Sequence, residues 1–271
     1  MCDTWLAFGG PYSNIQAVDA LLAEAARLGI PPARMICTGD VVAYAADPVA
    51  VTERMMASGI ATIMGNCEES LGADAEDCGC GFAEGTACDL LARGWYAHAT
   101  RSLNAHHRAW MASLPRRIVL QIGGRRLAVL HGSAGSINRF LFASDDADEF
   151  AREIAATGCE GVIAGHCGLP FTRVIGGALW HNAGAIGMPA NDGTPRVWFS
   201  LITPGDEGLR IEHRALDYDH AGAARAMRAA QLAEGYAAAL ETGLWPSLDV
   251  LPAAERDATG RRLDFAPVTW R

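Results

Sequence analysis

The sequence predicts an α/β fold organised around a parallel sheet, and three observations lead there. Three short apolar runs each end in a glycine-bearing polar corner, the stretches between them carry apolar residues at helical spacing, and the same kind of corner recurs twice further along. Strands alternating with helices pair in parallel through right-handed crossovers, and such sheets gather their working groups at the C-terminal strand ends.

The first run, Thr4 to Phe8, ends in Gly9-Gly10-Pro11 and is followed by Ile15, Val18, Leu21, Leu22 and Ala25 at helical spacing. Pro31-Pro32 is expected to break that helix. RMICTGD then supplies a second strand ending in Gly39-Asp40, and DPVAVTERMMASG a second helix with Pro48 near its start. IATIM is the third strand, ending in Gly65-Asn66. From Cys67 to Pro115 the chain reads as an inserted helical cap containing one or two amphipathic helices. RIVLQIGG and RRLAVLHGS form a hairpin about Gly123-Gly124. GVIAGH, ALWHNAG, RVWFSLIT and LRIEHRAL continue as strands, a helix covers about 221 to 240, and the tail to 271 is expected to wrap over the surface. The reading is one domain over 1–271, with a cap insertion at about 67–115 and a C-terminal helix and tail at about 221–271.

Composition narrows the function classes. The formal charge of −9 is spread without basic blocks, so the clustered Lys/Arg footprint of a nucleic-acid surface is missing. No apolar run reaches the ~18 residues of a membrane span, and Met1-Cys2-Asp3-Thr4-Trp5 lacks the basic and apolar regions of a signal peptide. A soluble, cytoplasmic protein is expected. The eight cysteines are then expected to be reduced thiols. Cys78, Cys80 and Cys88 lack the paired spacing of a structural zinc site.

Chemistry concentrates at four corners: Gly39-Asp40, Gly65-Asn66, His131-Gly132 and Gly165-His166. One carboxylate, one amide and two imidazoles suit a divalent transition metal such as manganese, iron or zinc. The competing reading makes Asp40 and Asn66 loop-capping groups, and His131 and His166 hydrogen-bonded core residues. Four polar groups in succession at strand ends favour the metal, because buried polar groups are costly unless something pairs them.

GDVVAYAADP, GNCEES, LAVLHGS, GHCGLPF and HNAGAIGMP resemble successive motifs of the calcineurin-like metallophosphoesterases. The resemblance spans most of the chain and implies a four-layer α/β/β/α sandwich. It also implies that Asp40, Asn66, His131 and His166 hold one metal, with Asp40 as the would-be bridge to a second. The second half-site departs from the family pattern: Gly10 stands in the aspartate slot, Tyr12 in the first histidine slot, and Gly168 in the last. Tyr12 and Cys167 are the candidates to rebuild it, against readings as a hydrogen-bonding tyrosine and an inert thiol. By the same resemblance Cys67 and His131 carry the catalytic step, Cys67 standing where many relatives have a histidine that protonates the leaving group. Glu68 orients its loop, and His181 is a candidate substrate contact. Asn182, Ala183 and Gly184 resemble an Asn-Pro-Gly motif with its proline replaced.

The implied activity is hydrolysis of a small-molecule phosphomonoester or phosphodiester at a reduced or altered metal centre, with one well-held ion. The alternatives are a non-catalytic binding scaffold on the same fold and a metalloprotein with thiol or tyrosinate chemistry. A thiol-rich pocket formed by Cys67, Cys78, Cys80 and Cys167 is a further expectation.

Overall fold

The computed structural model describes residues 3–271. The first βαβαβ unit is β1 (Trp5–Phe8), α1 (Ile15–Arg27), β2 (Met35–Cys37), α2 (Pro48–Ser58) and β3 (Ala61–Thr62). β1 pairs with β2 and β2 with β3, all in parallel, as the alternation predicts. Asn14 opens α1 by accepting the N–H of Ala17 at 3.1 Å, and the helix buries Ala17, Val18, Leu21 and Ala25. It ends ahead of the two prolines. Gly29 takes a φ of 69°, and the N–H of Ile30 closes back on the carbonyl of Ala25 at 2.9 Å.

Three helices follow: α3 (Asn66–Gly72), α4 (Ala87–Ser102) and α5 (Ala105–Ser113). They pack with α2 on the outer face of the first sheet, through Leu71, Trp95, Tyr96 and Met111. The start of α3 reaches the strand ends, and the irregular stretch between α3 and α4 meets it there, the Cys78 carbonyl accepting from Asn66 Nδ2.

The hairpin at Gly123-Gly124 joins β4 (Arg117–Ile122) to β5 (Arg125–Leu130). Then come α6 (Ala147–Thr157), β6 (Gly161–Ala164), β7 (Phe171–Ile175), β8 (Ala178–Asn182), β9 (Val197–Gly205) and β10 (Gly208–Leu216). Two sheets result, in the orders β11-β10-β9-β1-β2-β3 and β4-β5-β6-β8-β7, where β11 is Val268–Trp270. Ala7, Ile36, Leu127, Ile163, Leu179, Ile202 and Trp270 fill the layer between them. Helices lie outside both, α6 packing Phe150 and Ile154 on the second sheet. The arrangement is the expected α/β/β/α sandwich.

Two expectations change. The helix expected over about 221–240 is two, α7 (His220–Ala229) and α8 (Glu234–Thr242). Gln231 enters the left-handed region at φ 58°, and Leu232 closes back on Met227 at 3.0 Å, so the chain turns there. The tail does more than wrap the surface. It forms α9 (Ala253–Asp257) and β11, and Trp270, 1% exposed, enters the inter-sheet core with its indole N–H donated to the Gly177 carbonyl at 2.7 Å. Burying so large an aromatic outweighs the polar composition around it.

One polar seam crosses the inter-sheet layer. The Thr172 hydroxyl sits 2.9 Å from His181 Nδ1 and 2.9 Å from His213 Nε2, and Ser200 Oγ lies 3.2 Å from His213 Nδ1. Burial holds His213 down at about 4, and burial and then His213 hold His181 well below its ordinary value. Both are therefore neutral in the fold, whereas the unfolded chain takes up their protons near pH 6.5. The His213 contribution is complete above about pH 6.5 and is lost as pH falls toward 4, about 3 kcal/mol in all. Urea midpoints measured between pH 7.5 and 4.5 should fall with acid in the wild type, and the slope should be shallower in His213→Phe.

Candidate metal centre

Asp40, His131 and His166 come together from three strand ends, with ligand atoms within 4.8 Å of one another, all buried. Asn66, at the start of α3, joins them. The Nδ1 of His131 lies 2.6 Å from the Thr38 carbonyl oxygen, an acceptor, so Nδ1 carries the proton and Nε2 presents a lone pair. That Nε2 faces Asp40 Oδ2 at 3.2 Å, Asn66 Oδ1 at 3.1 Å and His166 Nδ1 at 3.1 Å. The amide of Asn66 is oriented by its own Nδ2, which donates to the Cys78 carbonyl at 2.9 Å.

With His131 in that tautomer, His166 Nδ1 is the one atom of the four that can carry a proton, so acceptors outnumber donors. A cation at the centre relieves such a set. A proton on His131 Nε2 can satisfy only one neighbour at a time. Burial opposes charge on His131, yet the Asp40 carboxylate outweighs it and lifts the imidazole above its ordinary value. Asp40 is likewise opposed by burial and held low by His131 and His166. His166 is pushed down to about 3 by burial and then by His131. Its Nε2 is buried without a partner. The donor set of oxygen and imidazole fits a divalent metal ion.

The loops that carry Asp40 and Asn66 are held by Glu68. Its carboxylate accepts the N–H of Asp40 at 2.7 Å, Val41 at 2.8 Å, Val42 at 3.3 Å and Gly65 at 2.9 Å. Burial and then the Asp40 charge push Glu68 up to about 7, against those N–H donors. Gly39 and Gly65 allow the approach: a Cβ on Gly39 would sit 2.6 Å from the Gly65 nitrogen, and one on Gly65 would sit 2.3 Å from Asp40 Oδ1. Cys67 donates its N–H to Asp40 Oδ1 at 3.2 Å. Its buried thiol is pushed well up by burial and then by Asp40, so it stays protonated.

The second half-site is filled. Tyr12, at φ 48° and 6% exposed, lays its ring over Gly10, where any Cβ would meet ring carbons at 2.4 to 2.8 Å. The Tyr12 hydroxyl lies 3.5 Å from where a Cβ on Gly168 would project. Burial and then Asp40 raise the phenol well above its ordinary value, so Tyr12 is neutral rather than phenolate. Cys167 accepts from Asn182 Nδ2 at 3.1 Å and is pushed up to about 12 by burial. It, too, keeps its proton.

Other residues separate from the centre. His181 is fully buried in the inter-sheet seam with Thr172 and His213. Cys67 and Cys80 both approach Asn66 Nδ2, at 3.5 and 3.4 Å, while Cys167 lies against Asn182 instead. Cys67, Cys78 and Cys80 therefore gather around Asn66, and Cys167 stands apart from them. Cys78 and Cys80 are disulfide-bonded across Gly79, with Cα atoms 5.3 Å apart, which corrects the expectation of reduced thiols for that pair. The spacing is within disulfide reach. Sequence reasoning missed Thr38, whose contribution is a backbone carbonyl, and Phe140, whose ring lies 4.2 Å from that of His166.

Two variants test this account. Glu68→Gln puts an amide NH₂ against backbone donors and should cost about 3 kcal/mol in denaturant unfolding. Gly10→Ala should cost at least about 2 kcal/mol from overpacking and backbone strain, and Tyr12→Ala in the same chain should return part of it.

No helix among the described residues is long and apolar enough to cross a membrane. Residues 13–203 match the calcineurin-like phosphoesterase superfamily domain. Among solved structures, a hypothetical protein from Pyrococcus horikoshii superposes with a TM-score of 0.74 at 16% identity, covering 89% of this chain and 99% of its own. A metallophosphoesterase from Sphaerobacter thermophilus superposes with a TM-score of 0.68 at 22% identity, again covering 89% and 99%. At these identities the likeness is one of fold. No curated protein matches the chain significantly. With the family match extending from the first loop to the ninth strand, this chain belongs to the calcineurin-like phosphoesterase superfamily.

Proposed function

We propose that the protein is a metal-dependent phosphoesterase of the cytoplasm that works with one metal ion on a small-molecule phosphate ester. The observation that carries this reading is the buried convergence of His131 Nε2, Asp40 Oδ2, Asn66 Oδ1 and His166 Nδ1, in which acceptors outnumber donors. In it, these four residues hold the ion, and Tyr12 occupies the space of a second one.

A divalent metal bound there supplies Lewis-acid polarisation of a phosphoryl oxygen and acidifies water for attack. Asp40 contributes the one anionic ligand. Thr38 fixes the His131 tautomer and keeps its proton away from the centre, as the outer partner of a metal-bound histidine does. Glu68 fixes the Asp40 backbone. Cys67, with a thiol that keeps its proton and an N–H on Asp40, positions that carboxylate in this reading and leaves the protonation of the leaving group to solvent.

A second reading, a binding protein on the same fold, draws on the filled half-site. Metal content and hydrolysis separate the two. Protein purified without chelators should carry about one equivalent of manganese, iron or zinc, lost in His131→Ala. Hydrolysis of 4-nitrophenyl phosphate or bis(4-nitrophenyl) phosphate should fall at least about 100-fold in Asp40→Ala. Equal activity in wild type and Asp40→Ala would remove the proposed mechanism. Bound metal without any hydrolysis would leave the binding protein.

A further inference from the structure

A pocket opens beside the centre on the side of the filled half-site. Tyr12, Tyr44, Phe140, Met188, Tyr236 and Trp245 contribute to its wall, together with one face of His166. Among the described residues that line it there is no Lys, Arg, Asp or Glu. Measured at water centres its volume is about 70 Å³, several times the ~10–15 Å³ that one water requires.

The wall is built rather than incidental. Tyr12 and Tyr44 meet edge-on with centroids 4.8 Å apart, and Tyr44 meets Tyr236 at 4.8 Å. Phe82 stacks on Phe140 at 6.2 Å, and Phe140 lies over His166 at 4.2 Å. The indole N–H of Trp245 is taken up by the Pro189 carbonyl at 2.7 Å, so the ring offers the pocket its carbon face. His166 joins the two sites: Nδ1 turns to the metal ligands, while the ring borders the pocket and its Nε2 is buried without a partner.

A dianionic or polyanionic group in such a wall would be desolvated with no cation to pair it, at high cost. An uncharged apolar group gains by leaving water there, and aromatic walls suit a flat ring. We infer that this pocket binds the uncharged, apolar organic group of a phosphate ester, a phenyl-sized ring or its equivalent, while the phosphoryl end sits on the metal ligands. The inference rests on the proposed phosphoesterase reading and adds the substrate class to it.

Non-hydrolysable phosphonates separate the two ideas. Metal-loaded protein is titrated calorimetrically with phenylphosphonate, methylphosphonate and 2-carboxyethylphosphonate, which share the metal-binding end and differ in the tail. Phenylphosphonate should bind at least about 10-fold tighter than either of the others. Val250→Trp, which fills the pocket from its rim, should abolish that preference and leave metal content and methylphosphonate affinity unchanged, the latter two serving as the folding control. If the three bind equally, or the carboxyethyl compound binds as tightly as the phenyl, the apolar pocket assignment fails and the metal centre stands. If none binds while the metal is held, the phosphoesterase reading fails with it.

Discussion

A single buried carboxylate ties the site to the sheet. Glu68 takes N–H groups from the Asp40 loop and from Gly65, so two strand-end loops otherwise joined through side chains by the Cys67 N–H on Asp40 Oδ1 are fastened at one point. A buried charge is tolerable only when its lone pairs are so occupied. The first loop then fastens to the second by backbone bonds, Gly10 to Gly39 at 3.1 Å and Tyr12 to Asp40 at 3.1 Å. The placement of Asp40 against Asn66 descends from that carboxylate and from two glycines narrow enough to let the loops touch.

The ligand-bearing side and the Tyr12-filled side are two outcomes of the same geometry. On one side, acceptors outnumber donors across about 3 Å, an arrangement that a cation would relieve. On the other, the aspartate and histidine slots have become glycines under a tyrosine ring, and the polar cavity is replaced by aromatic packing. Restoring Asp at Gly10 alone cannot restore a second ion, because the ring already stands where the side chain must go. Packing of the Tyr12 ring over Gly10 leaves no void on that side.

Much of this was legible in residue order. The parallel β1-β2-β3 set followed from apolar runs and helical spacing, and the corners Gly39-Asp40, Gly65-Asn66, His131 and His166 stood out because glycine beside a polar group at a strand end is chemically meaningful. What was not legible depends on distance in space. Thr38 acts through its carbonyl, which residue type does not reveal. His181 looks like a site residue by its motif, yet strand alternation turns it into the inter-sheet layer. The break at Gln231 is a local backbone choice without a glycine to announce it, and Trp270 enters the core from a segment whose neighbours are polar. The Cys78–Cys80 bond depends on a turn at Gly79, with a φ of 60°.

The strand order carries a kinetic consequence. β1 lies at the middle of its sheet, bonded to β2 on one side and on the other to β9, where Trp5 faces Ile202 and Leu6 faces Leu201. Its flank is therefore closed only by a partner from the far end of the family-matched region, and Gly9 and Gly10 are tied to Gly184 and Gly187 in the same way. Such non-local pairing makes for slow, late consolidation, since loop-closure entropy is lost before the contacts compensate it. The loops bearing Tyr12 and Asp40 are tied down only when that closure is made, so the ligand geometry follows assembly of the sandwich and does not template it.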